Sequence, residues 1–148
     1  MTHSLPPKNL ILYADDDMDD IRVVKDAFRD YNHAVRLVTF TNGSELLQFC
    51  QNLSPFEPLP CLIILDINMP GMDGKQTLKK IRNIDHLAEV PVVLFTTSSL
   101  PSEAAFARAY DAGFINKPLD IQQMQWIIDQ FIDHCSEEVR KMIRKKNK

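Results

Sequence analysis

Two short, almost wholly apolar runs in this chain each end in an acid. Residues 61–65 read Cys-Leu-Ile-Ile-Leu and deliver Asp66; residues 9–14 read Asn-Leu-Ile-Leu-Tyr-Ala and deliver Asp15, Asp16 and Asp17. A run of five or six residues is too short for a helix that must bury itself, and a strand wetted on one face would alternate polar with apolar. Continuous apolar runs of this length read as strands covered on both faces, the habit of parallel sheets between helical layers. Such sheets carry their chemistry just beyond the carboxyl ends of their strands. Two strands that release carboxylates at that edge predict one shared acidic pocket.

The remainder of the chain alternates in the same way. Ile21, Val24, Phe28 and Tyr31 recur at helical spacing, residues 34–39 read as a second strand, and residues 43–53 place Leu46, Leu47 and Cys50 on one helical side. A proline-bearing loop at 54–60 precedes the Asp66 strand. A helix over 73–85 turns Leu78 and Ile81 inward, a fourth strand spans 90–95, a helix spans 102–112, a short fifth strand spans 114–116, and a last helix runs from Leu119. Five β/α units in series imply a doubly wound parallel sheet of the α/β class. Ile121, Met124, Ile128, Phe131, Cys135, Val139 and Met142 then step by three and four without interruption. That stripe predicts one extended C-terminal helix, longer than a five-stranded sheet can cover, with Trp126 on its opposite side. The chain divides accordingly into a short N-terminal extension (1–8), a domain (9–134) and a basic helical extension (135–148).

Composition bounds the function. The chain has 148 residues, 45% hydrophobic and 25% charged, which is ordinary usage for one globular domain. A formal net charge of -3 argues against wholesale nucleic-acid binding, and no apolar run is long enough to cross a bilayer. The N-terminus has no apolar signal-peptide core. Cys50, Cys61 and Cys135 have no metal-ligand spacing and read as thiols of a reducing cytoplasm.

The strand ends bring together Asp15, Asp16, Asp66, the Thr96 hydroxyl and Lys117. Crowded carboxylates raise one another's pKa, and a hard divalent cation such as Mg²⁺ relieves the repulsion. Lys117 supplies a positive charge suited to a phosphoryl group, and Thr96 can donate to a phosphoryl oxygen. A carboxylate beside a cation and a lysine is the arrangement needed to attack phosphorus and form an aspartyl-phosphate. Each residue also has a plain structural reading. Asp17 can cap the first helix, its neighbours can answer the helix dipole, and Phe114 can be a core aromatic.

The ordered set 12–17 (Leu-Tyr-Ala-Asp-Asp-Asp), 65–74 (Leu-Asp-Ile-Asn-Met-Pro-Gly-Met-Asp-Gly), 91–96 (Pro-Val-Val-Leu-Phe-Thr) and 113–118 (Gly-Phe-Ile-Asn-Lys-Pro) resembles the receiver domain of response regulators, above all the stand-alone chemotaxis type. The resemblance covers roughly 9–134. It implies a flavodoxin-like three-layer sandwich with strand order 2-1-3-4-5. Asp66 would be the phosphoacceptor; Asp16 and Asp66 would hold Mg²⁺ by their carboxylates, Asp15 through water, and Asn68 through its backbone carbonyl. Thr96 would be the switch hydroxyl, Phe114 the switch aromatic, Lys117 the phosphoryl partner, and the Lys117-Pro118 peptide would be cis. The implied partners are a histidine kinase or phosphotransfer protein and a downstream protein target, with no nucleic acid or membrane. The module would switch without turning over a substrate, although it would catalyse its own phosphotransfer.

Three other readings share the fold or the nucleophile. An aspartyl-phosphate hydrolase or transferase would want an acid two residues beyond Asp66, where Asn68 stands. A flavin-binding module would want a phosphate-cradling loop after the first strand, where three acids stand. A receiver that docks without phosphate would have no use for the full acid, threonine and lysine set. Trp126 is a candidate interface anchor, and the continuing C-terminal stripe points to a homodimer or a partner helix.

Overall fold

A computed structural model describes residues 8–54 and 56–145. Its five strands, β1 (Asn9–Ala14), β2 (Val35–Phe40), β3 (Leu62–Leu65), β4 (Val92–Thr96) and β5 (Gly113–Asn116), pair in parallel in the order β2-β1-β3-β4-β5. The helices are α1 (Met18–Phe28), α2 (Gly43–Gln51), α3 (Gly74–Arg82), α4 (Pro101–Ala109), α5 (Met124–Asp133) and α6 (Glu137–Arg144). This is the doubly wound sheet expected from the apolar runs.

Strand side chains alternate between faces, and the core divides accordingly. Ile11, Tyr13, Leu62, Ile64, Val93 and Phe95 meet Ile21, Val24 and Phe28 of α1 and Ile127, Ile128 and Phe131 of α5. Leu10, Leu12, Ile63, Leu65, Val92 and Leu94 meet Leu46, Leu47 and Cys50 of α2, Leu78 and Ile81 of α3, and Ala107 of α4. The central strands are buried on both sides, which is why their sequences carry no polar alternation.

The helix starts are set by side-chain caps. The Asp17 carboxylate accepts the N–H groups of Asp19 and Asp20, and Asp73 with Gln76 forms a reciprocal capping box. Both caps lie at the carboxyl edge of the sheet, so the loops carrying the acids are anchored by the helices that follow them.

The C-terminal region corrects the expected extended helix. Helix α5 stops at Asp133, and α6 begins after Ser136, whose extended backbone and hydroxyl cap the N–H of Val139. Arg140 Nη1 donates to the carbonyl oxygens of Asp133 (3.1 Å) and Cys135 (2.9 Å), occupying acceptors that the end of α5 leaves free. Arg144 Nη2 reaches back to Asp133 Oδ1 at 2.8 Å and Asp129 Oδ1 at 3.5 Å. Packing is the physical reason for the break: a straight helix would carry its apolar stripe off the sheet, whereas the turn puts Ile143, 0% exposed, into the cluster with Phe28, Val35 and Cys135. The turn also shifts the helical phase, so Met142, which the uninterrupted stripe placed inward, is 48% exposed. At the other end, Leu119 and Ile121 are exposed, and α5 proper begins only at Met124 after a single 3₁₀ turn. Residues 1–7 and 146–148, parts of the expected N-terminal and basic extensions, lie outside the described residues. Among the described residues no helix is long and apolar enough to cross a membrane.

Candidate functional site

The carboxyl ends of β1, β3, β4 and β5 do meet at one place. The peptide N–H of Asp15 continues the sheet by donating to Phe40 O (3.0 Å), and that of Asp66 donates to Ala14 O (3.0 Å). The two carboxylates therefore leave adjacent strands side by side. Asp15 and Asp66 are buried, Asp16 is exposed, and one oxygen from each of the three lies within 4.8 Å of the others. All three donors are hard oxygens, the type that Mg²⁺ and similar cations take, so the donor set fits a divalent ion.

Lys117 enters from the end of β5. Its N–H donates to Thr96 O at 2.8 Å, which locks the chain beside β4. Its ammonium bonds Asp15 Oδ2 at 2.7 Å and Asp20 Oδ2 at 2.8 Å, and stands 3.6 Å from Asp66 Oδ1. The Lys117-Pro118 peptide, expected to be cis, is trans, as is every described peptide bond. Trans is the cheaper isomer of an X-Pro bond by about 0.5–1 kcal/mol, and here the lysine is held by its backbone bond to β4 and by two carboxylates.

Burial pushes the Asp66 carboxyl up to about 7, with the neighbouring Asp15 charge adding to the rise and Lys117 opposing it. For Lys117, burial alone would lower the pKa, but the hydrogen bonds to Asp15 and Asp20 outweigh it and hold the ammonium charged. Tyr13 lies two residues before Asp15 on the same strand face, and its hydroxyl donates to Asp15 Oδ2. Burial and the Asp15 charge raise its pKa, so it remains a neutral donor.

Of the other expected residues, Thr96 ends β4, Asn68 follows β3, Phe114 lies in β5 and Trp126 in α5. Thr96 is fully buried, its Oγ1 accepting the N–H of Ser98 at 3.1 Å. Phe114 is half-buried against the cluster of the α2, α3 and α4 side. Asn68 is exposed in the loop after Asp66. That loop closes on Gly74, whose N–H donates to Ile67 O at 2.9 Å; a Cβ there would stand 2.2 Å from Asp66 O, so only glycine fits. Trp126 is 65% exposed on the outer side of α5.

Two residues of the site are absent from the sequence reading. Tyr13 was legible in principle, since residues two apart on a strand share a face. Asp20 carried no distinguishing signal, being one of five acids in six residues from Asp15 to Asp20. Only the path of α1 selects it.

A parallel sheet in the order β2-β1-β3-β4-β5, with a buried aspartate at the end of β3 among two further acids, a lysine and a threonine, defines a receiver-type signalling domain. The chain belongs to the response regulator receiver domain family, whose family profile matches residues 11–129. Among curated relatives it is 35% identical to the response regulator Rcp1 of Synechocystis over 97 residues, 64% of this chain and 65% of that protein. It is 33% identical to the DNA-binding transcriptional regulator NtrC of Escherichia coli over 103 residues, 68% of this chain but 20% of the relative. It thus spans just under two thirds of the first relative and a fifth of the second. Among solved structures, the phosphorylated cyanobacterial phytochrome response regulator RcpA superposes with a TM-score of 0.77 at 23% identity, covering 88% of this chain and 98% of that one. The Mn²⁺-bound form of Rcp1 superposes with a TM-score of 0.73 at 25% identity, covering 84% and 91%.

Proposed function

We propose that this response regulator receiver domain is switched by transfer of a phosphoryl group to Asp66. The observation that carries the reading is the Asp66 carboxylate itself, buried with the oxygens of Asp15 and Asp16 within 4.8 Å and the Lys117 ammonium at 3.6 Å. The donor is a phosphohistidine of a histidine kinase or of a phosphotransfer protein. An oxygen of ionised Asp66 attacks phosphorus in line, the phosphorus–nitrogen bond breaks, the histidine departs with the electron pair, and an acyl phosphate remains.

In this reading Asp16 and Asp66 would hold Mg²⁺ by their carboxylates, Asp15 through water and Asn68 through its backbone carbonyl. When bound, the cation neutralises the crowded acids and the phosphoryl oxygens. The protein's own groups do the rest. Asp66, whose carboxyl burial has pushed up to about 7, must be ionised to attack, and relief of the Asp15 repulsion favours that form. Lys117 meets the charge on the phosphoryl oxygens. Thr96, whose Oγ1 accepts the Ser98 N–H, moves to donate its hydroxyl hydrogen to a phosphoryl oxygen, and Phe114 packs into the space it leaves.

The surface of α4, β5 and α5 then changes and is read by a protein target, with Trp126 as its anchor, or the phosphoryl group passes down a relay. Of the side chains that suggested pairing through the C-terminal helix, Val139 packs within the protomer and Met142 is 48% exposed. The module acts in the cytoplasm as a switch and not as a turnover enzyme.

Intact-mass spectrometry after incubation with acetyl phosphate, with and without Mg²⁺, tests the reading. One Mg²⁺-dependent phosphoryl group on the wild type and none on Asp66→Asn supports it. No adduct on the wild type would leave a docking module that works without phosphate.

A further inference from the structure

The Lys117 ammonium has three N–H donors, of which Asp15 and Asp20 take two at 2.7 and 2.8 Å. Asp66 at 3.6 Å is too far for a good hydrogen bond. Asp66 is therefore held at ion-pair distance only, and among the described residues the third donor makes no hydrogen bond. The two carboxylates that hold the ammonium differ in what else they do. Asp15 also accepts the Tyr13 hydroxyl and the Asp17 N–H, and belongs to the cluster of three acids. A cation at that cluster would draw on the same Asp15 carboxylate. Asp20 is outside the cluster, and among the described residues its carboxylate bonds Lys117 alone.

Asp20 is also rigidly placed. It is the third residue of α1, its N–H is capped by Asp17, and a carboxylate in the first turn is stabilised by the helix dipole. Beside it, between α1 and the segment after β5, lies a cavity of about 150 Å³ lined by Val23, Val24, Phe95, Ile121 and Met124, with Lys117 and Asp20 on its wall. The lysine thus has an alternative place to go, along the Phe95 ring that its Nζ already overlooks at 5.8 Å.

We propose that Asp20 is a positioning residue: it keeps the Lys117 ammonium facing Asp66 when a cation engages Asp15. This rests on the reading of Asp66 as phosphoacceptor. Its consequence is an asymmetry between the two anchors. Without a cation either carboxylate suffices; with one, Asp20 becomes indispensable.

The full chain, labelled with ¹⁵N at its lysines, tests this by NMR. A buried, hydrogen-bonded ammonium exchanges slowly enough for its Nζ signal to be seen. The wild type keeps the Lys117 signal with and without saturating Mg²⁺, D20A keeps it only without Mg²⁺, and D20E, which can still reach the lysine, restores it. At saturating Mg²⁺, D20A slows phosphorylation by acetyl phosphate about tenfold, the effect of some 1.4 kcal/mol in the barrier. The same substitution has no further effect in a K117A background, because Asp20 acts through the lysine. A Lys117 signal that survives in Mg²⁺-saturated D20A, or a D20A effect undiminished by K117A, overturns the proposal. A wild type that takes no phosphoryl group overturns the reading of Asp66 instead, while the NMR comparison still decides whether Asp20 holds the lysine.

Discussion

At Asp66 the fold and the site oppose each other. The carboxyl is pushed up to about 7 by burial and by Asp15, against about 3.9 in an unfolded chain. Between those values the folded protein binds a proton that the unfolded chain has released. In metal-free buffer the contribution of Asp66 to stability therefore falls as pH rises from about 4 to about 7, and is flat above that. Replacing Asp66 by Asn removes the ionisation. Its gain in stability over the wild type is expected to vanish below about pH 4 and to reach of order 1–4 kcal/mol above pH 7. Urea unfolding of both proteins across this range, in EDTA, checks the prediction; equal pH profiles would contradict it. Gly74 is a second point where a single atom matters. Gly74→Ala would drive a methyl group into the backbone of Asp66, displacing the loop after β3. The expected result is loss of phosphorylation by acetyl phosphate together with lowered stability, read by mass spectrometry and by thermal unfolding.

Among the elements, α6 is where local pattern and global packing diverge. Periodicity cannot see a helix break made by a serine cap, because each half keeps its own spacing. The break decides which neighbour is buried, Ile143 or Met142, and the two respond differently to truncation. Ile143→Ala leaves a cavity in the cluster shared by α1 and α5 and is expected to cost about 2–4 kcal/mol. Met142→Ala removes an exposed side chain and is expected to cost under about 0.5 kcal/mol. Denaturant midpoints of the two variants distinguish the folded-back α6 from a straight helix, for which the order would reverse.

For the molecule as a whole, site and stability are linked by mass action. A cation that binds only the folded acids stabilises the protein by about 2.7 kcal/mol at a hundredfold excess over its Kd, or roughly 6–10 °C in Tm for a domain of this size. Thermal unfolding with Mg²⁺ and with EDTA should show this shift in the wild type and not in an Asp16→Asn, Asp66→Asn double variant. An equal shift in both would place the cation elsewhere. What the sequence alone determined was the parallel sheet, its two apolar faces, and the meeting of Asp15, Asp16, Asp66, Thr96 and Lys117 at one edge. These follow from short-range periodicity and from the rule that parallel strands all end on the same side. Only the tertiary structure decided which of the α1 acids reaches Lys117, that Tyr13 shares Asp15, that the Lys117-Pro118 peptide is trans, and that the C-terminal stripe turns back on itself. Each of those depends on the distance between segments far apart in the chain, and hydrophobic spacing, a property of neighbours in sequence, does not encode it.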